Sequence, residues 1–169
     1  MKPWAKQTGF TIVELLIVIV VIAILAAITI VAYNGIQNRT NDSAVQFDLN
    51  SIAKKLELYK VDNGTYPPNN AGLIAMKAKV SGVSYAVGTY RNLVYCYDAT
   101  NDQYLLSATS KSEAHYYIAS VNGGSIKPYP GAWTNATGVQ AVCDGAISGY
   151  TYIIYGYYNS KWQTWTGYS

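Results

Sequence analysis

FTIVELLIVIVVIAILAAITIVAY, residues 10–33, decides how the rest of the chain is read. It is a 24-residue apolar run with a single charge, Glu14. At 1.5 Å per residue a helix over it spans roughly 36 Å, enough to cross a bilayer. MKPWAKQTG, residues 1–9, is short, polar and basic, and Lys2 and Lys6 keep that end on the cytoplasmic side. A conventional secretory signal places its small-residue cleavage site after the apolar core. Here the core is followed by Tyr33, Asn34, Gly35 and Ile36, which fit poorly. The better punctuation lies before it, at Gly9-Phe10.

Beyond this run the pattern changes. Val45, Leu49, Ile52, Leu56 and Tyr59 are spaced 4, 3, 4 and 3, one face of a helix. Asp48, Asn50, Lys54, Lys55 and Glu57 fill the polar remainder. The helix is therefore expected to be apolar all round over 10–33 and amphipathic over 34–63. The first kind of surface wants lipid or other helices, and the second wants a domain packed on one side. In between, NGIQNRTND at 34–42 weakens helix, with Gly35 the expected flexible point. Asn63-Gly64 is the expected stop, and Pro67-Pro68 prevents resumption.

Residues 64–169 read as a globular β-rich head. Candidate strands are 90–97, 104–109, 115–121, 150–158 and 161–166, with turns at Asn122-Gly123 and Asn159-Ser160. Residues 122–149 read as a long loop. A sheet with one face on the Val45–Tyr59 stripe gives an α+β fold, a long N-terminal helix on a small antiparallel sheet. Fifteen of the 17 tyrosines follow residue 60, too many aromatics for a disordered tail. They suit sheet packing with hydroxyls at the rim. Runs such as Tyr155-Gly156-Tyr157-Tyr158 put aromatics on both faces, so an exposed aromatic contact surface is the sharper reading.

KQTGFTIVELLIVIVVIAILAAI resembles the leader and N-terminus of type IV prepilins and pseudopilins. That family has a basic leader ending in Gly, then Phe, then Glu at the fifth mature position; Gly9, Phe10 and Glu14 match in turn. LELYKVDNGTYPP, residues 56–68, is similar to the family's helix exit. The resemblance covers residues 5–68 and hardly extends further. It implies cleavage between Gly9 and Phe10 by a prepilin peptidase, with N-methylation of Phe10. It also implies a homo-oligomeric helical filament, minor pilins, an assembly platform and an assembly ATPase as partners. The precursor would sit in the cytoplasmic membrane, and the mature chain in an extracellular pilus serving motility, adhesion or DNA uptake. Some members carry a helix-breaking Pro within the apolar segment, and this chain has none there.

A carboxylate on an apolar helix is costly in lipid or in a bundle unless it meets a cation. Removing the leader creates an amine at Phe10 that the same helix cannot easily bring to its own Glu14. A neighbouring helix offset along the bundle can, and the pair would set the register between subunits.

Cys96 and Cys143 form no CxxC, and with His115 the single histidine they lack the partners of a zinc site. In an exported chain an even count favours a disulfide. Closing a loop of roughly 48 residues is worth about 4 kcal/mol in the chain-entropy model. Two separate buried thiols are the other reading. Asp98, Thr100 and Asp102 alternate like the start of a calcium loop, but Thr109 stands where the bidentate acid belongs, so they read as a turn. Asn38, Asn63 and Asn135 each begin an N-x-T triplet, to which no role is attached. With no nucleophile elbow, phosphate loop or metal cluster in the sequence, neither an enzyme nor a cofactor is expected. Net charge is +3, two of it from Lys2 and Lys6, so strong nonspecific nucleic-acid binding is not indicated. Two rivals share these features. One is a pseudopilin of a type II secretion or competence system. The other is a membrane-tethered binding module that uses its tyrosines.

Overall fold

A computed structural model describes residues 9–86, 92–129, 143, 145, 147, 149–158 and 161–167. The leader residues 1–8, the start of the first expected strand, the Asn159-Ser160 turn, Asn135 and most of the 122–149 loop lie outside the described residues.

Helix α1 runs Ile12–Asn63, 52 residues. It runs through 34–42 without interruption, so the stretch is not unwound there. A helical glycine costs about 1 kcal/mol relative to alanine, too little to stop a helix that propagates from both sides. The chain divides into two compact units, Met1–Gln37 and Asn38–Ser169. The helix ends where the sequence indicated. Gly64 takes φ of 83° and its N–H donates to Lys60 O at 2.8 Å, while Asn63 Nδ2 donates to Tyr59 O at 2.9 Å.

After Pro67-Pro68 comes a short helix that the sequence reading had not anticipated, α2, Asn70–Ala75, whose N-cap Asn69 accepts from Gly72 N at 3.0 Å. Strands β1 Leu93–Asp98, β2 Gln103–Thr109, β3 His115–Ala119, β4 Lys127–Pro128 and β5 Tyr152–Tyr155 follow. They form an antiparallel sheet in the order β4-β3-β2-β1-β5. β6 Tyr157–Tyr158 and β7 Lys161–Trp162 form a second, two-stranded sheet. The α+β expectation is borne out.

The predicted stripe packs as its spacing required. Val45, Leu49, Ile52 and Leu56 are fully buried against Leu93, Tyr95, Tyr97, Tyr104, Leu106, Ala108 and Ile118. The alternate residues of the same strands are buried too. Val94, Cys96, Leu105 and Ala119 pack with Cys143 and Ile147 on the far face. β1 is therefore buried along its whole length, where one wet face would give alternation.

Three strands are shorter than expected. β3 stops at Ala119 and passes into a 3-10 turn, Ser120–Asn122, closed by left-handed Gly123. The 161–166 run holds two strand residues before another 3-10 turn, Thr164–Thr166, whose Trp165 is buried and donates from Nε1 to Tyr155 O at 2.9 Å. The 150–158 run breaks at Gly156, where a Cβ would come within 2.6 Å of Leu93 Cδ2 and 2.8 Å of its Cγ. Gly156→Ala is accordingly expected to destabilise the head by about 1–3 kcal/mol. Chemical denaturation measures this, and an unchanged midpoint would mean that Leu93 can move aside.

Most tyrosines serve the core. Tyr66, Tyr85, Tyr95, Tyr97, Tyr104 and Tyr157 are buried. Tyr66 and Tyr104 meet edge-to-face at 4.7 Å, and Tyr95 stacks on Tyr104 at 6.4 Å. Among the described residues Tyr33, on the apolar helix, and Tyr152, in the head, are at least half exposed. Asp48 also departs from expectation. It belongs to the buried side of α1, and its Oδ2 accepts from Ser81 N, Ser81 Oγ and Tyr85 Oη at 2.7, 2.9 and 3.1 Å. Three donors compensate the loss of water around a carboxylate, and they tie the chain after α2 to the helix.

Candidate functional site

The start of α1 holds the residues singled out for processing and assembly. Gly9 and Phe10 are exposed, Phe10 at 85%. Glu14 lies one turn on, with Thr11 as its partner. Glu14 Oε2 accepts from Thr11 N at 2.8 Å and from Thr11 Oγ1 at 2.6 Å, and Glu14 N donates back to Thr11 Oγ1 at 3.3 Å. This reciprocal pattern is a capping box. It satisfies amides that an apolar helix start would otherwise leave bare. The sequence reading missed Thr11, although a Thr followed three residues later by Glu ahead of an apolar run is the signal for this motif.

Every residue from 9 to 40 is exposed, and the helix is long and apolar enough to cross a membrane by length and composition. Ile12, Val13, Leu15, Ile17, Ile22 and Ile28 are each more than half exposed. Thr29, the polar interruption, donates from Oγ1 to Ala26 O at 2.9 Å, so its hydroxyl is satisfied within the helix. A surface this apolar and this bare needs a covering of lipid or of other helices.

In the head, Cys96 and Cys143 are joined by a disulfide, with Cα atoms 6.0 Å apart and both residues fully buried. The link ties the 143–147 segment to β1 on the far face of the sheet. His115 is half-buried, with Nδ1 3.0 Å from Thr109 Oγ1, and burial lowers its pKa below the usual value.

The Asp98–Asp102 stretch is the turn between β1 and β2. Asp98 Oδ1 accepts from Thr100 N and Asn101 N, and Asp98 Oδ2 from Asn101 Nδ2 at 2.7 Å. Asp102, held at φ of 48°, faces α1 instead. Its carboxylate pairs with Lys60 Nζ at 2.9 Å and accepts from Tyr66 N at 3.0 Å and Tyr97 Oη at 3.3 Å. Its role is to fasten the helix exit to the hairpin. Among the described residues no group of three or more His, Cys, Asp or Glu could hold a metal.

Burial pushes the Asp102 carboxyl up, but Lys60, the Tyr66 amide and the Tyr97 hydroxyl outweigh it and hold it below the usual 3.8. A depressed carboxyl contributes stability above its unfolded pKa and loses it as pH falls through the folded one. Asp102→Asn is therefore expected to unfold more easily than wild type at neutral pH and to converge with it below about pH 4. Melting curves that stay equally separated across the acid range would contradict this.

A family profile described as "Type II secretion system (T2SS), protein G" matches residues 33–126, and one described as "Prokaryotic N-terminal methylation motif" matches residues 4–30. The chain is 40% identical over 90 residues to the type IV wide pilus major component PilA4 of Thermus thermophilus, covering 52% of this chain and 69% of that protein. It is 29% identical over 126 residues to type II secretion system core protein G of Vibrio cholerae, covering 73% and 86%. Against core protein G of Pseudomonas aeruginosa it is 34% identical over 77 residues, covering 46% and 54%.

Proposed function

Because the chain belongs to the family of type IV pilins and type II secretion pseudopilins, we propose that it is a structural subunit of a type IV pilus. Members of this family are structural subunits and not enzymes. Prepilin peptidase cuts between Gly9 and Phe10, and the new N-terminus is methylated. The subunit waits in the cytoplasmic membrane through its apolar helix. An assembly platform, driven by its ATPase, then transfers that helix from lipid into a bundle of sister helices that includes minor pilins, and the filament extends outside the cell. The observation that carries this reading is the bare apolar surface of residues 12–33 on a chain whose head has its own closed core.

In the membrane Glu14 is satisfied by Thr11. In the filament the Phe10 amine of an adjacent subunit replaces or joins that partner and sets the register. The identity to PilA4 favours a pilus. The protein G profile over 33–126 supports a second reading, the subunit of a type II secretion pseudopilus. Immunogold labelling of intact cells separates the two. Label along filaments extending well beyond the cell surface supports the pilus, and label confined to short assemblies within the envelope supports the pseudopilus.

A further inference from the structure

The outward side of α1 within the head is left bare by the folded chain. Residues 47, 54, 58 and 61 are spaced 7, 4 and 3, one face of a helix. Phe47, Leu58 and Val61 are 72%, 64% and 81% exposed. Lys54 stands among them, exposed and making no ion pair among the described residues. Glu57, one turn on, is exposed as well, and its carboxylate accepts from Tyr66 Oη at 2.9 and 3.0 Å. Large apolar side chains gathered on one helix face and flanked by charge mark a contact with another macromolecule.

We propose that this face is a contact between copies of this chain, in which Lys54 of one subunit pairs with Glu57 of the next and Phe47, Leu58 and Val61 close around the pair. The face is complementary to itself, because its cation precedes its anion by three residues, an axial distance of about 4.5 Å. A parallel neighbour displaced by one turn brings Lys54 level with Glu57. A lipid surface fits less well, since its apolar layer would have to accept Lys54 and Glu57 together with the apolar residues. The inference rests on the filament reading and adds to it a second, water-accessible contact that selects the register.

The test is charge reversal scored by the yield of sheared filaments. Lys54→Arg is expected to assemble as wild type does. Lys54→Glu places like charges level with each other and is expected to lower the yield about tenfold or more. Lys54→Glu with Glu57→Lys is expected to recover it. Protease resistance of the head and an N-terminus at Phe10 establish that each variant is folded and processed. Should the double variant misfold through loss of the Tyr66 bond, the contrast between Lys54→Arg and Lys54→Glu decides. Normal filaments from Lys54→Glu, or a folded double variant as defective as the single one, would overturn the contact and leave the pilin reading standing. Failure of the wild-type chain to form filaments would overturn both.

Discussion

Glu14→Ala and Glu14→Gln are both expected to fold, to be processed at Phe10, to accumulate in the membrane and to yield few or no sheared filaments. The two substitutions separate two roles. In the single chain Glu14 completes the capping box with Thr11, and glutamine can take that part as well as glutamate. Only the carboxylate can meet a neighbour's Phe10 amine as an ion pair. Removing one partner of a buried pair costs about 3–5 kcal/mol, which is roughly a hundredfold or more in each subunit addition. Thr11→Ala inverts the design. It loses the cap at about 1 kcal/mol but keeps the charge, so assembly is expected to be weakened and not lost. The measurement is the ratio of sheared to membrane-retained protein. If Glu14→Gln gives wild-type filaments, the cap alone accounts for the residue, and the charge plays no part in register.

The second large effect is expected from the disulfide. Cys143→Ser should lower head stability by about 4 kcal/mol, the loop-closure contribution for a separation of 47 residues. The loss is expected to be local in its consequences. Val94, Cys96 and Leu105 would lose the cover that Cys143 and Ile147 give them on the far side of the sheet. The face packed on Val45, Leu49, Ile52 and Leu56 would keep its contacts. Denaturant unfolding of the detergent-solubilised chain, with and without reductant, measures both points. A change below about 1 kcal/mol would mean that apolar packing alone holds the covering segment.

The helix was legible because its signals are local and repetitive. Spacings of 4 and 3 from Val45 to Tyr59 named its buried face, and Asn63-Gly64 named its end. At the start of α1 the family motif drew attention to Gly9, Phe10 and Glu14, yet Thr11, which caps the helix with Glu14, went unread, even though the capping pattern is local too. Asp48 could not be read in this way. By composition it belonged with Asn50, Lys54 and Glu57 on the polar remainder, and its burial is decided by Ser81, 33 residues away. The cysteine pair pointed to a tie between β1 and the loop, but the extent to which the far face of the sheet is covered was hidden for a similar reason. Strand alternation in Leu93–Asp98 does not reveal that a distant segment, pinned at Cys143, closes over the outward residues. Gly156 was read inside the 150–158 strand, because the cause of the break there, the Leu93 side chain against it, is a tertiary contact.

The account stands most directly on one measurement, the intact mass and N-terminal sequence of this chain in material sheared from the cell surface. A filament-borne chain that begins at Phe10 and carries one added methyl group is the expected result. A chain that still begins at Met1 and is released only by detergent would contradict it, leaving a membrane-tethered module in which Glu14 serves as a helix cap and nothing more.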